Sequence, residues 1–491
     1  MRKPLARRVL VLFFTVAIAS FPLLALAENY LTPLPVGDQW KDVKATEYRR
    51  FLKEKNDIIA GRKTLKNREQ FEDYYKNALI AKLTDPLTYG KDFPSIRREM
   101  QRDVANAKVA AVRDLLIQLY ATELQLIADA NYHPAAQVNA LLLIGALNTK
   151  ERTPAGAAAI PYKEVFAVLR AKFEDNSNPL GIRLAALIGV LRHVESDWPT
   201  SKGQESDLAR LFASSSPQID GQTKAELLTT VATIVEQDQA AEGVDQRAHD
   251  YFRARVMDLF GSLAAFNPSN DSLKLIVATA SKKDTDMLLR SRAVFALARQ
   301  QYPQIKDADG TAVVGALTAY LADACQQVID DVEVYREAGR NVPRGGGGLG
   351  GSGVDDSGDE GGMEGGGGLL GGGGMGGGMG GGMMGGGGGG GGVAGHEFEM
   401  IRRQLLYHIF TARRAMDGTR LDQIPGVKHF ESQVQTYRDL QTALRRLTES
   451  ADGENVQTEQ LLRDVRLRRS DLERVRPGAT VVAPTTGPLF P

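Results

Sequence analysis

Between Gly345 and Gly395 the chain carries 33 glycines in 51 residues. Glycine has the most backbone freedom to lose and no side chain to bury, so such a run cannot offset the entropy of its own ordering. The sequence therefore predicts a disordered linker over 345–395 between a large body and a smaller helical tail. As a random coil it would reach roughly 40 Å root-mean-square, and body and tail are expected to tumble independently. The segment holds five acids and no base. Its Gly-x-Gly-x-x-Gly matches are trivial, because no strand precedes them. Met375, Met379, Met383 and Met384 punctuate the glycines. Thioethers are soft ligands suited to Cu(I), which makes these four the candidate metal residues. Low-complexity drift, or sticky residues in a tether, is the preferred reading, because ligand type without fixed geometry is weak evidence, and no cofactor is expected.

Outside that segment the composition is ordinary. Lys+Arg and Asp+Glu are 60 each, and there is one cysteine. A neutral chain has no global attraction to polyanions, so nucleic acid is not an expected partner. One cysteine excludes a disulfide framework and a Cys-based zinc cluster. Residues 1–27 have the order of a secretory signal peptide: basic Arg2, Lys3, Arg7 and Arg8, an apolar run from Val9, then Ala25-x-Ala27 before Glu28. Cleavage is expected after Ala27, with a retained anchor as the alternative, and the protein is expected to be secreted or periplasmic. No later stretch approaches about 18 uncharged apolar residues, so no stable membrane span is expected after cleavage.

The span 28–94 is expected to hold a lead-in and the first helices: from Glu28 to about Thr64 the pattern is weak, with Pro33, Pro35 and Trp40 in an extended lead-in, and helical spacing begins beyond it. Over 95–344 apolar residues recur at helical spacing, and no window alternates as a strand does. One long helix is expected from Pro94-Ser95, with the stripe Met100, Val104, Ala111, Leu115, Leu119, Leu126. Further helices are expected at Ala135–Leu147, Tyr162–Phe173, Leu180–Val194, Asp207–Ala213, Lys224–Val235, Gln246–Phe266, Ser272–Ala280, Asp286–Gln300 and Thr311–Ala338, the last capped by Gly339. X-Pro breakers such as His133-Pro134 and Asn178-Pro179 separate several of them.

Five helices share an apolar residue, another four later, and then a small one: Ala140/Ile144/Gly145, Leu184/Ile188/Gly189, Leu227/Val231/Ala232, Val256/Phe260/Gly261 and Ala293/Leu297/Ala298. The small residue lets a neighbouring helix approach closely. The anchors lie 44, 43, 29 and 37 residues apart, as in stacked helical pairs. Arg290 stands before Ala293 as a basic residue does in HEAT repeats. The body thus resembles a degenerate HEAT or armadillo-like array of the bacterial envelope type over about Asn131–Gln301. That resemblance implies a scaffold with a concave surface for another macromolecule; an irregular helical bundle would use the same stripes.

The tail, 396–476, has a stripe Phe398, Ile401, Leu405, Ile409, Ala412. A seam of about three heptads follows: Val427, Phe430, Val434, Tyr437, Leu440, Leu444, Leu447. A third, Arg-flanked stripe is Leu461, Val465, Leu472, Val475. A helical or coiled-coil module is expected, with possible self-association through these helices. Its paired arginines, such as Arg402-Arg403 and Arg413-Arg414, fit a salt-bridged face better than a polyanion site. Residues 477–491 are expected to be a flexible end. No catalytic residue emerges: the six histidines form no metal-binding spacing, there is no nucleophile elbow or P-loop, Cys325 lies beside an apolar stripe, and Asp330-Asp331 suit a solvated helix face. The fold class expected is all-α, an irregular HEAT/armadillo-like solenoid with a tethered tail. The function expected is a non-catalytic extracytoplasmic scaffold binding another protein of the envelope. The alternatives are an envelope enzyme on a helical fold and copper handling through the methionines.

Overall fold

The computed structural model describes residues 30–89, 92–151, 159–197, 219–341, 393–418, 424, 426–452 and 457–476. The expected signal segment with Ala27, the helix Asp207–Ala213, the linker with its methionines and the end 477–491 lie outside the described residues. What is described is all-α apart from one short antiparallel ribbon, Asn148–Lys150 against Ile160–Pro161.

The lead-in is extended to Gly37 and then departs from expectation. A helical turn, Asp38–Lys41, leads to α1 (Thr46–Ile59). The buried positions of α1 are Tyr48, Phe51, Lys55, Ile58 and Ile59, a helical 3-4-3 spacing that Lys55 disguises. Next, α2 (Arg68–Tyr74) runs on through a wide π-type turn, Tyr75–Ile80. The single long helix expected from Pro94 is two, α3 (Phe93–Asn106) and α4 (Ala110–Asp129). Lys108 N–H donates to Ile59 C=O at 3.0 Å rather than within a helix, and the break resets the helical phase. Leu116 and Leu124 are therefore buried while Leu126, on the expected stripe, is 59% exposed.

Ten helices from α4 onward pack as five pairs: α4 with α5 (Pro134–Ala146), α6 (Phe166–Glu174) with α7 (Leu180–Ser196), α8 (Gly221–Glu236) with α9 (Gln246–Phe266), α10 (Asn270–Ser281) with α11 (Met287–Leu297), and α12 (Gly310–Asn341) with α13 (Val393–Asp417). The second helices also pack on one another in order, α5 on α7, α7 on α9, α9 on α11, α11 on α13. Acidic or hydroxyl N-caps start four of these helices: Asp220, Asp245, Ser269 and Asp286 each accept a backbone N–H of the first turn at 2.8–3.1 Å. The small residues sit where the second helices cross. A Cβ built on Gly145 would lie 2.9 Å from Gly189 Cα, and one on Gly261 would lie 2.5 Å from Ala296 Cβ.

A second contact recurs with the pairs. The last carbonyls of a helix have no partner within it. In four pairs a long side chain of the second helix reaches back to them: Gln137 Nε2 to Ala130 C=O at 2.8 Å, Arg183 Nε to Phe173 C=O at 3.0 Å, Arg253 Nη2 to Val235 C=O at 2.6 Å, and Arg290 Nε to Ala280 C=O at 3.0 Å. Arg253 and Arg290 are buried, and each keeps a carboxylate partner, Asp238 and Asp323, both at 2.8 Å.

The tail is not a separate body. The glycine segment falls between α12 and α13, the two helices of the fifth pair. After α13, a 3₁₀ turn (Gly426–Phe430) and α14 (Thr436–Ala451) lead to α15 (Thr458–Val475), which lies along α12. Phe430 packs edge-on to Tyr302, centroids 4.9 Å apart, and so close to Gly310 that a Cβ there would lie 2.5 Å from its ring. Tyr320 on α12 meets His408 Nδ1 at 2.6 Å, and Arg336 pairs with Glu459 at 3.0 Å. One apolar cluster runs from Trp40 to Leu472. Independent tumbling is thus overturned by this continuous packing. The expected heptad seam is broken into two elements, and all seven of its residues are buried within the chain. Gly339 does not end α12, which continues to Asn341. Among the described helices α12 alone is long and apolar enough to cross a membrane. Its apolar window is 72% buried against its neighbours, as befits a core helix.

Two outcomes follow from this packing. A protease site placed between Gly385 and Gly390 and cut should leave fragments that co-elute on a sizing column under native conditions; separation would mean that α13 and α15 do not bind α12. Gly189→Val should destabilise by about 3 kcal/mol, the upper range for overpacking, since its Cβ would lie 2.8 Å from Leu169 Cδ1 and 3.1 Å from Gly145 Cα. A urea midpoint equal to the parent's would show that the crossing is not tight.

Candidate interaction face

The second helices are apolar on more than one side. Packing uses the sides that carry Gly145, Gly189, Gly261 and Ala296 and leaves a second stripe on each helix, open to solvent at some positions and enclosed by its neighbours at others. On α7 it is Leu184, Ile188, Arg192, Glu195, and on α9 Tyr251, Arg255, Asp258, ending at the buried Ser262. On α11 and just beyond it is Leu288, Arg292, Phe295, Arg299, and on α13 Met400, Arg403, Tyr407, Phe410, Arg414. Each follows the three-and-four spacing of one helix side. Ile188, Tyr251, Met400, Tyr407 and Phe410 are all more than a third exposed.

Polar contacts join these stripes into one face. Arg192 Nη1 donates to the carbonyls of Gly145 at 2.7 Å and Leu147 at 3.3 Å, and Nη2 reaches Asn148. Arg299 pairs with Glu195 at 2.9 Å and donates to Ser262, and its guanidinium lies over the Phe295 ring at 5.2 Å. Asp258 lies between Arg255 at 2.8 Å and Arg292 at 3.6 Å. Burial pushes the Asp258 carboxyl above its ordinary range, although Arg292, Arg255 and Arg299 pull it down. Tyr407 OH and Ser291 Oγ stand 3.5 Å apart, linking α13 to α11. Beyond Phe410 the face opens into two adjoining clefts between α13 and α14, of about 490 and 420 Å³, which share Arg413, Asp417 and Thr448.

Chemistry of this kind suits binding. Arginine forks and part-exposed aromatic rings are the side chains that dominate protein interfaces. The sequence reading did not find these residues. Their signal was that helices such as α7 are apolar nearly all round, which marks a helix that is either enclosed or covered by something else.

A second cluster of ionisable groups is buried near the start. Lys55 Nζ binds Asp103 Oδ2 at 2.8 Å and Glu99 Oε1 at 3.2 Å. Tyr75 OH donates to Asp103 at 2.9 Å and Tyr74 OH to Glu99 at 3.1 Å. Burial, with the two carboxylates, raises both phenols well above their ordinary range. Every charge in this cluster is answered, and it joins α1, α2 and α3.

The remaining candidates are dispersed. His133 caps α5 and stacks on Tyr89, His249 bonds Gln237 C=O at 2.8 Å, and His429 stacks on Tyr302. Among the described residues no three His, Cys, Asp or Glu side chains converge as metal ligands. Cys325 is fully buried, and burial pushes its thiol up to about 12, as for an inert core cysteine. Asp331 departs from the solvated-face reading: partial burial and then Asp330 raise its carboxyl. Of the paired arginines, Arg402 and Arg403 share Glu399, and Arg468 and Arg469 bind Asp471 and Glu473.

His193 and His408 are buried, and burial, then the charge of Arg192 or Arg290, lowers each to about 4. Neither ring nitrogen of His193 has a partner. A folded value below the unfolded 6.5 means that the unfolded chain binds the proton first. The stability is complete above pH 6.5 and falls as the pH drops toward 4, by about 1.4 kcal/mol per unit for each ring. His193→Leu should remove one such contribution, flattening the fall between pH 6.5 and 5; an unchanged slope in melts across that range would place the proton elsewhere.

Compared with family models, curated proteins and solved structures, the chain matches none.

Proposed function

We propose that the protein is a non-catalytic scaffold: an α-solenoid of HEAT/armadillo-like pairs, secreted or periplasmic, that holds another protein of the cell envelope on its second-helix face. The observation that carries this reading is the outward stripe of arginine with aliphatic or aromatic residues on successive second helices, joined by ion pairs from α7 to α11 and by Tyr407 to α13. Two features support the solenoid. The second helices stack in sequence order, and a backbone-capping side chain recurs at Gln137, Arg183, Arg253 and Arg290. Both are expected of repeated units that bury a face only by stacking. The start of the sequence, with its basic residues, apolar run and Ala25-x-Ala27, supports export.

The test uses the full chain as a bait in extract from the cell envelope, with captured proteins identified by mass spectrometry. Tyr251→Ser with Phe410→Ser should lose a specific captured protein while the melting temperature stays close to the parent's. Leu126→Ser, which changes an exposed leucine on α4 away from the face, should retain it. Equal capture by all three proteins would overturn the reading.

A further inference from the structure

Resting on that interaction reading, we propose that the partner presents an acidic segment bearing aliphatic or aromatic side chains, which lies across α9, α11 and α13. The chain as a whole is neutral, but this face is not. Its stripes carry six arginines, at 192, 255, 292, 299, 403 and 414, against two acids, Glu195 and Asp258. Both acids are already engaged: Asp258 serves two arginines, and Glu195 serves Arg299. Arg192 leans on neutral carbonyls, whereas Arg255 and Arg292 are largely enclosed around Asp258. Glu399, beside the stripe, is shared by Arg402 and Arg403. Arginine therefore outnumbers acid on these stripes, most openly at Arg403, whose side chain is 67% exposed.

The type of cation matters. All six are arginine and none is lysine. A guanidinium is weakly hydrated and presents a flat fork that takes a carboxylate through two parallel bonds. Between the forks stand Tyr251, Tyr407 and Phe410, exposed by 37–47%, which give apolar side chains a surface to cover. A duplex phosphate backbone would satisfy the arginines and leave those rings unused, whereas a single strand could stack its bases on them and is therefore the competing ligand in the test. An acidic polypeptide with interspersed apolar residues satisfies both sets.

The experiment measures binding of labelled synthetic peptides to the full-length protein by fluorescence anisotropy. The probe is a repeat of Glu-Phe-Asp-Leu. Its counterparts carry Lys in place of the acids, or Gly in place of Phe and Leu. A single-stranded oligonucleotide of matched charge is the fourth ligand. The Glu-Phe-Asp-Leu repeat should bind best and weaken as salt is raised. Arg403→Glu with Arg414→Glu should weaken it about tenfold or more through lost charge-assisted contacts, and Phe410→Ser should weaken it independently. Neither variant touches the Arg255–Asp258–Arg292 network, and melting curves report whether each is folded. Equal binding of the lysine peptide or the oligonucleotide, or indifference to Arg403→Glu with Arg414→Glu, would overturn the proposal. If envelope capture still depends on Tyr251 and Phe410 when the acidic probe fails, the interaction face stands and only its preference for acid falls. If capture fails as well, both fall.

Discussion

The approach of one helix backbone to the next at Gly145–Gly189, and at Gly261–Ala296, is the constraint on which the rest of the structure depends. Neither Gly145 nor Gly189 has room for a Cβ. Because those crossings are tight, side chains at the helix ends reach across to the neighbour. Arg192 meets the carbonyls at the end of α5, and Arg299 meets both Glu195 and Ser262. Wider crossings would put water between those groups. The outward stripes also follow from it, because a helix that packs through its small residues leaves its larger apolar ones to point elsewhere.

Charge is buried at the junctions between elements and rarely within one. Lys55 joins α1 to α3 through Asp103 and Glu99, Arg253 and Arg290 join the two helices of a pair, and Asp323 brings α12 onto Arg290. A buried ion pair is weak evidence of net stability, but removing one partner strands the other and is costly. These contacts therefore act most strongly against wrong pairings: a helix in another's place would leave Arg290 or Lys55 without its carboxylate. The orphan carbonyls at helix ends use the same logic in neutral form at Gln137.

Much of this architecture was legible in the sequence, and the exceptions have physical causes. Single-helix features were visible because they are local. The stripes of α5, α7, α9 and α11, the close approach at Gly145, Gly189 and Gly261, the basic residue at Arg290 and the buried Cys325 all appear at helical spacing. α1 was missed because a charged residue, Lys55, occupies one of its buried positions, and its carboxylates lie more than forty residues away in sequence. The break between α3 and α4 depends on Ile59 C=O, which spacing within 94–126 cannot reveal. Docking of the tail depends on pairs such as Tyr320–His408, 88 residues apart, across a glycine run that suggests separation. The outward face escaped notice for a related reason: in a helix apolar nearly all round, sequence does not say which side meets a neighbour.

The position of α12 has a consequence for the order of events during synthesis. It is the described helix apolar enough to lodge in a lipid bilayer, and α10 and α11, which precede it, cover only part of its surface. The remaining cover comes from α13 and α15; 51 residues lie between α12 and α13, and α15 follows only at Thr458. A nascent chain therefore displays one side of a hydrophobic helix for the time needed to make those residues, several seconds at ordinary elongation rates of roughly 5–20 residues per second. During that interval α12 is the segment most open to capture by a chaperone, a membrane or another unfinished copy. The length of the glycine run thus sets a delay as well as a distance.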